Sequence, residues 1–120
     1  MTDLLIFTCT HSPEDAERAT LPFVAANIAA TAGQRAVVLC TIDAAWLGIA
    51  EKRASVASPG LPPLASLYDE FVANGGEVWL CGACTKPRGI GEDAIDKARI
   101  VGAAKVVEEV TLGAKTIAFA

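Results

Sequence analysis

The sequence predicts an α/β fold, with a parallel sheet carrying helices on both faces. Three observations predict it. Short apolar runs of strand length, such as Leu4–Thr8 and Ala36–Thr41, alternate with longer stretches whose apolar residues recur at helical spacing. The runs are continuous, as in strands covered on both faces. Breaks at Gly33, at Asn74-Gly75-Gly76 and at Gly113 close the helical stretches just before the next strand is due.

Leu4–Thr8 is the first predicted strand. Ser12 then reads as a helix cap, Pro13 as the first helical residue and Asp15 as the partner in a capping-box-like spacing. Ala16, Ala19, Phe23, Val24 and Asn27 mark one helical face, and Pro22 inside it should bend the helix. Ala36–Thr41 is the second strand, after which Asp43 caps a short helix through Trp46, Leu47 and Ile49. Glu51–Ser58 is polar and runs into Pro59, Gly60, Pro62 and Pro63, which predicts a mobile loop. Leu64, Leu67, Phe71 and Val72 define the next helix. Glu77–Leu80 is a buried strand holding Trp79, and Trp46 and Trp79 both read as core or subunit-interface aromatics. A helical turn near Glu92–Ile95, a brief strand at Arg99–Val101, a helix through Ala103, Val106, Val107 and Val110, and a strand at Lys115–Phe119 complete the chain.

The 120 residues make one domain, 1–120, without internal repeats. At 52% hydrophobic and 20% charged it is globular. No apolar run reaches the length of a membrane span, and the start has no basic region of a secretory leader. A net charge of −4 argues against nucleic acid. The expected setting is the cytoplasm, where four cysteines are reduced thiols, ligands or redox groups.

Ligands of parallel sheets bind beyond the carboxyl ends of the strands. Cys9, Cys40 and Cys81 all fall at that edge, and Cys84 lies in the loop above it. Cys81 opens a loop holding Gly82, Pro87, Gly89 and Gly91, whose backbone can approach a ligand closely. Lys86 and Arg88 follow within seven positions, and a nearby cation favours the nucleophilic thiolate. The prediction is therefore a reactive cysteine on a loop held by a rigid strand. Arg88 reads equally as an anion or carboxylate binder and as a surface charge. Cys9 and Cys40 read first as core residues. His11, the single histidine, reads first as a loop side chain. All three are candidates to join the site, His11 as a base for the thiol. Gly89-Ile90-Gly91 lacks the context of a phosphate loop, and no cofactor or metal is expected.

Two other chemistries remain open from the residues. Cys81 and Cys84 form a C-x-x-C that could act as a redox pair on disulfides or peroxides, although Gly82 and Pro87 predict an extended loop rather than a helix start. Alternatively, Cys9, His11, Cys40 and Cys81 could build a metal- or small-ligand module without chemistry.

The run Cys81-Gly-Ala-Cys84-Thr-Lys86-Pro-Arg88-Gly89-Ile, of the form C-x-x-C-x-x-x-R-G, resembles the cysteine loop of the DsrE/DsrF-like family, especially its YchN-like branch. The spacing of Cys81 from Gly89 is similar to that of the sulfur-carrying cysteine in the DsrE and TusD sulfur-relay subunits. The likeness extends to Pro13–Ala19 and to Gly102-Ala-Ala-Lys-Val-Val-Glu108. It implies a three-layer α/β/α sandwich with a five-stranded parallel sheet. It also implies that Cys81 accepts sulfane sulfur as a persulfide from a protein donor and passes it to an acceptor. Lys86, Arg88, Gly82 and Gly89 would bind the anion. Cys84 would be a resolving or second sulfur-handling thiol, a residue the TusD type lacks. Family members assemble as homo-trimers or hexamers, or with sister subunits, so a homo-oligomer is implied.

Overall fold

A computed structural model describes residues 2–119. Five strands, β1 (Leu5–Cys9), β2 (Ala36–Cys40), β3 (Glu77–Cys81), β4 (Arg99–Val101) and β5 (Lys115–Ala118), form one sheet in the order β4-β3-β2-β1-β5. Every neighbouring pair is parallel. Helices α1 (Ala16–Thr31) and α3 (Leu64–Ala73) cover one face, and α5 (Ala103–Thr111) covers the other. The predicted three-layer sandwich is the observed architecture.

The two cores follow from the period-2 alternation of the strands. Phe7, Cys9, Val38, Cys40, Val78 and Leu80 meet Phe23 and Ala26 of α1 and Leu64, Tyr68 and Phe71 of α3. The intervening residues, Ile6, Val37, Leu39, Trp79 and Val101, point the other way and meet Val106 of α5. β2 is buried at all five positions, as its unbroken apolar run predicts. β5 is exposed along its length at the sheet edge and stops at Ala118, one residue short of the predicted Phe119.

Three local expectations are corrected. The first helix begins later than Ser12: Pro13–Asp15 is a 3-10 turn, and Asp15 caps α1 by accepting the Arg18 N–H. That bond, with the Arg18 side chain, holds the Asp15 carboxyl below its usual range. It is Glu14, not Asp15, whose carboxylate turns back to the Ser12 N–H, at 2.7 Å. Helix α1 contains the buried Pro22, the residue expected to bend it. Next, Ile42–Gly48 is a 3-10 segment whose cap residue is Thr41, so Asp43 is free for another partner. Finally, the predicted loop at 51–63 starts with one helical turn, α2 (Ala50–Arg53), and is pinned by burial of Arg53 and Val56.

Arg53 explains that pinning. Its guanidinium donates to the Leu47 carbonyl at 3.2 Å, pairs with the Asp96 carboxylate, and lies 3.9 Å over the Tyr68 ring. The Tyr68 hydroxyl donates to the Asp96 carbonyl at 2.9 Å, and the Asp96 N–H donates to Gly48 at 2.8 Å. One buried cation thus ties α2, α3, the 3-10 segment and the approach to β4 together.

The same core carries a pH dependence. Burial pushes the Tyr68 hydroxyl well above its ordinary value, and a hydrogen bond with Cys9, then full burial, does so for the Cys40 thiol. Both groups therefore fold as neutral acids, while the unfolded chain releases their protons from about pH 8.5 for cysteine and about pH 10 for tyrosine. Folded pKa values above unfolded ones mean stability that is complete below pH 8 and lost as pH rises. Urea midpoints measured from pH 7 to 10.5 should fall in two stages, and Cys40→Ala should remove part of the first.

Candidate functional site

Cys81 closes β3 and is half-buried. The register fixes its direction. Cys9 pairs with Cys40 and Cys40 with Leu80, so Cys81 lies one position past that row and points to the opposite face. There it borders an open groove of about 210 Å³, lined by Leu39, Thr41, Val101, Gly102, Ala103, Val106 and Val107. The groove presents an entirely apolar wall. Gly102 caps α5, so the nine-residue helix begins at the groove. The positive end of a helix favours negative charge in its first turn.

The loop after Cys81 is not extended, which corrects the sequence expectation. Gly82–Thr85 forms one helical turn, α4, with Cys81 as its cap residue. Glycine at position 82 is tolerated there without being demanded, since an added Cβ would meet only ordinary contacts at 3.5 Å. Cys84 occupies the third helical position, half-buried. The cap and third positions face each other in a capping box. The ground that set this C-x-x-C apart from helix-start redox pairs therefore falls away.

The turn continues to Ile90 and ends in a Schellman arrangement. The Ile90 N–H donates to Thr85 at 3.0 Å and the Gly89 N–H to Lys86 at 3.1 Å. Gly89 has φ +69, so its role is to take the left-handed turn. That turn aims Arg88 back across the loop. Its Nη1 donates to the Cys84 carbonyl at 3.1 Å, and its Nη2 and Nε donate to Asp43 Oδ1 at 2.9 and 3.3 Å. Arg88 is thus a clamp on α4 whose charge Asp43 answers, rather than a free cation beside Cys81. Lys86 is exposed at the C-terminal end of α4, away from the Cys81 end. The 51–63 segment contributes nothing to the groove wall.

Arg88→Ala should cost about 1 kcal/mol, one partly exposed ion pair and one hydrogen bond. Hydrogen exchange at residues 82–90 should rise with it. Arg88→Lys should not restore protection, because a single ammonium lacks the fork that spans both acceptors.

The remaining predicted residues do not join this site. Cys9 and Cys40 lie buried in the α1–α3 core, where the Cys9 thiol donates to the Ala19 carbonyl at 3.5 Å. The sheet separates them from Cys81. His11 is engaged through Nδ1 with the Thr10 hydroxyl at 2.9 Å. It follows β1, two strands and about 10 Å across the sheet from β3. The proposed ligand set Cys9, His11, Cys40 and Cys81 therefore does not converge, and among the described residues no three His, Cys, Asp or Glu side chains are grouped to hold a metal.

Sequence reasoning missed Asp43, which was read as a helix cap although its partner lies 45 positions away. It also missed the groove, because Val106 and Val107 read simply as marks of the last helix. Ile42, between groove-lining Thr41 and Asp43, has φ +55 and is 53% exposed. A β-branched residue rarely takes that conformation, and such outliers cluster at functional sites.

The DsrE/DsrF-like family model matches residues 3–119. No curated protein matches the chain. Among solved structures, the YchN protein of E. coli superposes with a TM-score of 0.73 at 22% identity, covering 99% of this chain and 100% of that one. MTH1491 of Methanobacterium thermoautotrophicum, a protein of unknown function, gives 0.75 at 16%, covering 97% and 98%. BT1422 of Bacteroides thetaiotaomicron, a conserved protein of unknown function, gives 0.67 at 14%, covering 98% and 95%. At these identities the likeness establishes the fold. No helix among the described residues is long and apolar enough to cross a membrane.

Proposed function

The chain belongs to the DsrE/DsrF-like family, and from that membership we propose that it is a sulfur carrier that holds sulfane sulfur as a persulfide on Cys81. The observation that carries the reading is the position of Cys81: the last residue of a buried strand, half-exposed at the carboxyl edge of the sheet and bordering a groove. The Cys81 thiolate attacks the outer sulfur of a donor persulfide. A new S–S bond forms on Cys81, the donor's S–S bond breaks, and the donor leaves as a thiolate. Transfer to an acceptor thiolate is the same step with Cys81 as the leaving group, so no external oxidant is needed. The Arg88 clamp keeps α4 in place.

Protein donor and acceptor, a homo-oligomeric state and a cytoplasmic setting belong to the same proposal. Val110, Leu112 and Ile117, exposed on the last turn of α5, just after it and on β5, supply apolar surface for self-association. Intact-mass analysis after incubation with a persulfide donor tests the carrier reading. One added sulfur atom, lost on reduction, is the expected result, and no added sulfur would reject it.

The helical turn α4 favours a second reading, in which Cys81 and Cys84 close a disulfide. Together the two thiols give up two protons and two electrons to a disulfide or peroxide substrate, which is reduced. A two-hydrogen mass loss on mild oxidation, requiring both cysteines, would move the function there.

A further inference from the structure

We infer that Cys81, besides exchanging sulfur with its protein partners, accepts a small thiol or persulfide carried on an uncharged apolar group, an alkyl or aryl substituent up to about the size of benzene, which seats in the groove at the start of α5. This rests on the proposal that Cys81 is the sulfur-handling residue.

The size follows from the volume. An aliphatic cavity of about 150 Å³ admits benzene, and this groove offers about 210 Å³ with one side open. The chemistry follows from the wall. Leu39, Val101, Val106 and Val107 surround Cys81, and no polar surface lines the groove. A carboxylate, sulfonate or ammonium seated against that wall would give up water for no side-chain hydrogen-bond partner, a costly exchange. The one guanidinium of the adjoining loop cannot compensate an anion, because Asp43 holds it at 2.9 Å and the Cys84 carbonyl at 3.1 Å. Ile42 adds an independent observation. Next to groove-lining Thr41, an apolar side chain is kept 53% exposed in a backbone conformation that disfavours it. The site is therefore selective by desolvation and not by charge.

The test compares three methanethiosulfonate reagents on the Cys84→Ser protein in its native assembly: benzyl, sulfonatoethyl and trimethylammonioethyl. In each case the Cys81 thiolate attacks the reagent's thiol sulfur, a mixed disulfide forms and methanesulfinate leaves. Each rate is divided by that of the same reagent with 2-mercaptoethanol, which removes intrinsic reactivity. The benzyl reagent should exceed both charged reagents by about tenfold, the effect of seating roughly two methylene equivalents. Val107→Lys, at a position 64% exposed, should fold normally, lower the benzyl rate and raise the sulfonatoethyl rate. Val106→Ser, half-buried, should weaken the benzyl preference without favouring either charge.

Equal normalised rates, faster charged reagents, or no reaction of Cys81 with any of the three would overturn the inference. Its failure is separable from failure of the carrier reading. A Cys81 that gains sulfur in the mass assay yet shows no benzyl preference removes only the substrate class. A Cys81 that prefers benzyl yet gains no sulfur removes the carrier reading alone.

Discussion

Cys81→Ser is expected to abolish sulfur loading completely, reducing a stoichiometric gain of one sulfur atom to none. A hydroxyl cannot form the S–S bond, and neither buried thiol can substitute, since Cys9 is 1% and Cys40 0% exposed on the far face of the sheet. The fold should survive, because Cys81 is half-buried and a hydroxyl is smaller than the thiol it replaces. Cys84→Ser separates the two readings of the loop. A carrier keeps its sulfur gain without Cys84, and the persulfide should last longer if Cys84 normally resolves it. A redox pair loses its two-hydrogen mass change in either single variant. Loading that persists in Cys81→Ser would relocate the function altogether.

Arg53→Ala is expected to be strongly destabilising, by about 3 kcal/mol and roughly 10 °C in unfolding temperature for a chain of this size. The loss is not that of an isolated buried charge, because Asp96 is itself 49% exposed and regains water when its partner goes. It comes instead from a volume deleted against Tyr68, from the Leu47 carbonyl left without its donor, and from release of the 91–98 segment. Arg53→Met should recover part of the loss by refilling the space over the Tyr68 ring. Asp96→Asn should cost less than Arg53→Ala, since the amide keeps a hydrogen bond to the guanidinium. Urea unfolding of the three variants would check the order, and an Arg53→Ala protein as stable as the parent would show that the network is ornamental.

The strands were legible because their apolar runs are continuous and short. All five appear within a residue of their predicted bounds. Cys9 and Cys40 were read first as core residues, and the structure buries both there. What escaped was long-range or hidden by misleading local chemistry. Gly82 and Pro87 read as breakers, yet glycine is tolerated at a first helical position and the turn simply closes at Gly89. Arg53 sat in a polar stretch that looked like a loop, and nothing local announces that a cation will be buried against a carboxylate 43 residues away. Arg88 and Asp43 pose the same difficulty over 45 residues. Which way Cys81 points could not be read at all without the register, because a shift of one position reverses the face.

That reversal makes the sheet a partition between two kinds of sulfur. On one side lie thiols sealed among aliphatic and aromatic neighbours, where a hydroxyl or a heavier atom would disturb packing. On the other lies a thiol at an open edge, which can be altered, loaded and unloaded while the core stays the same. The proposed covalent cycle at Cys81 would thus run without exposing the scaffold to the reagent it carries. For the proposed carrier of a reactive atom, insulation is as much a part of the design as reactivity.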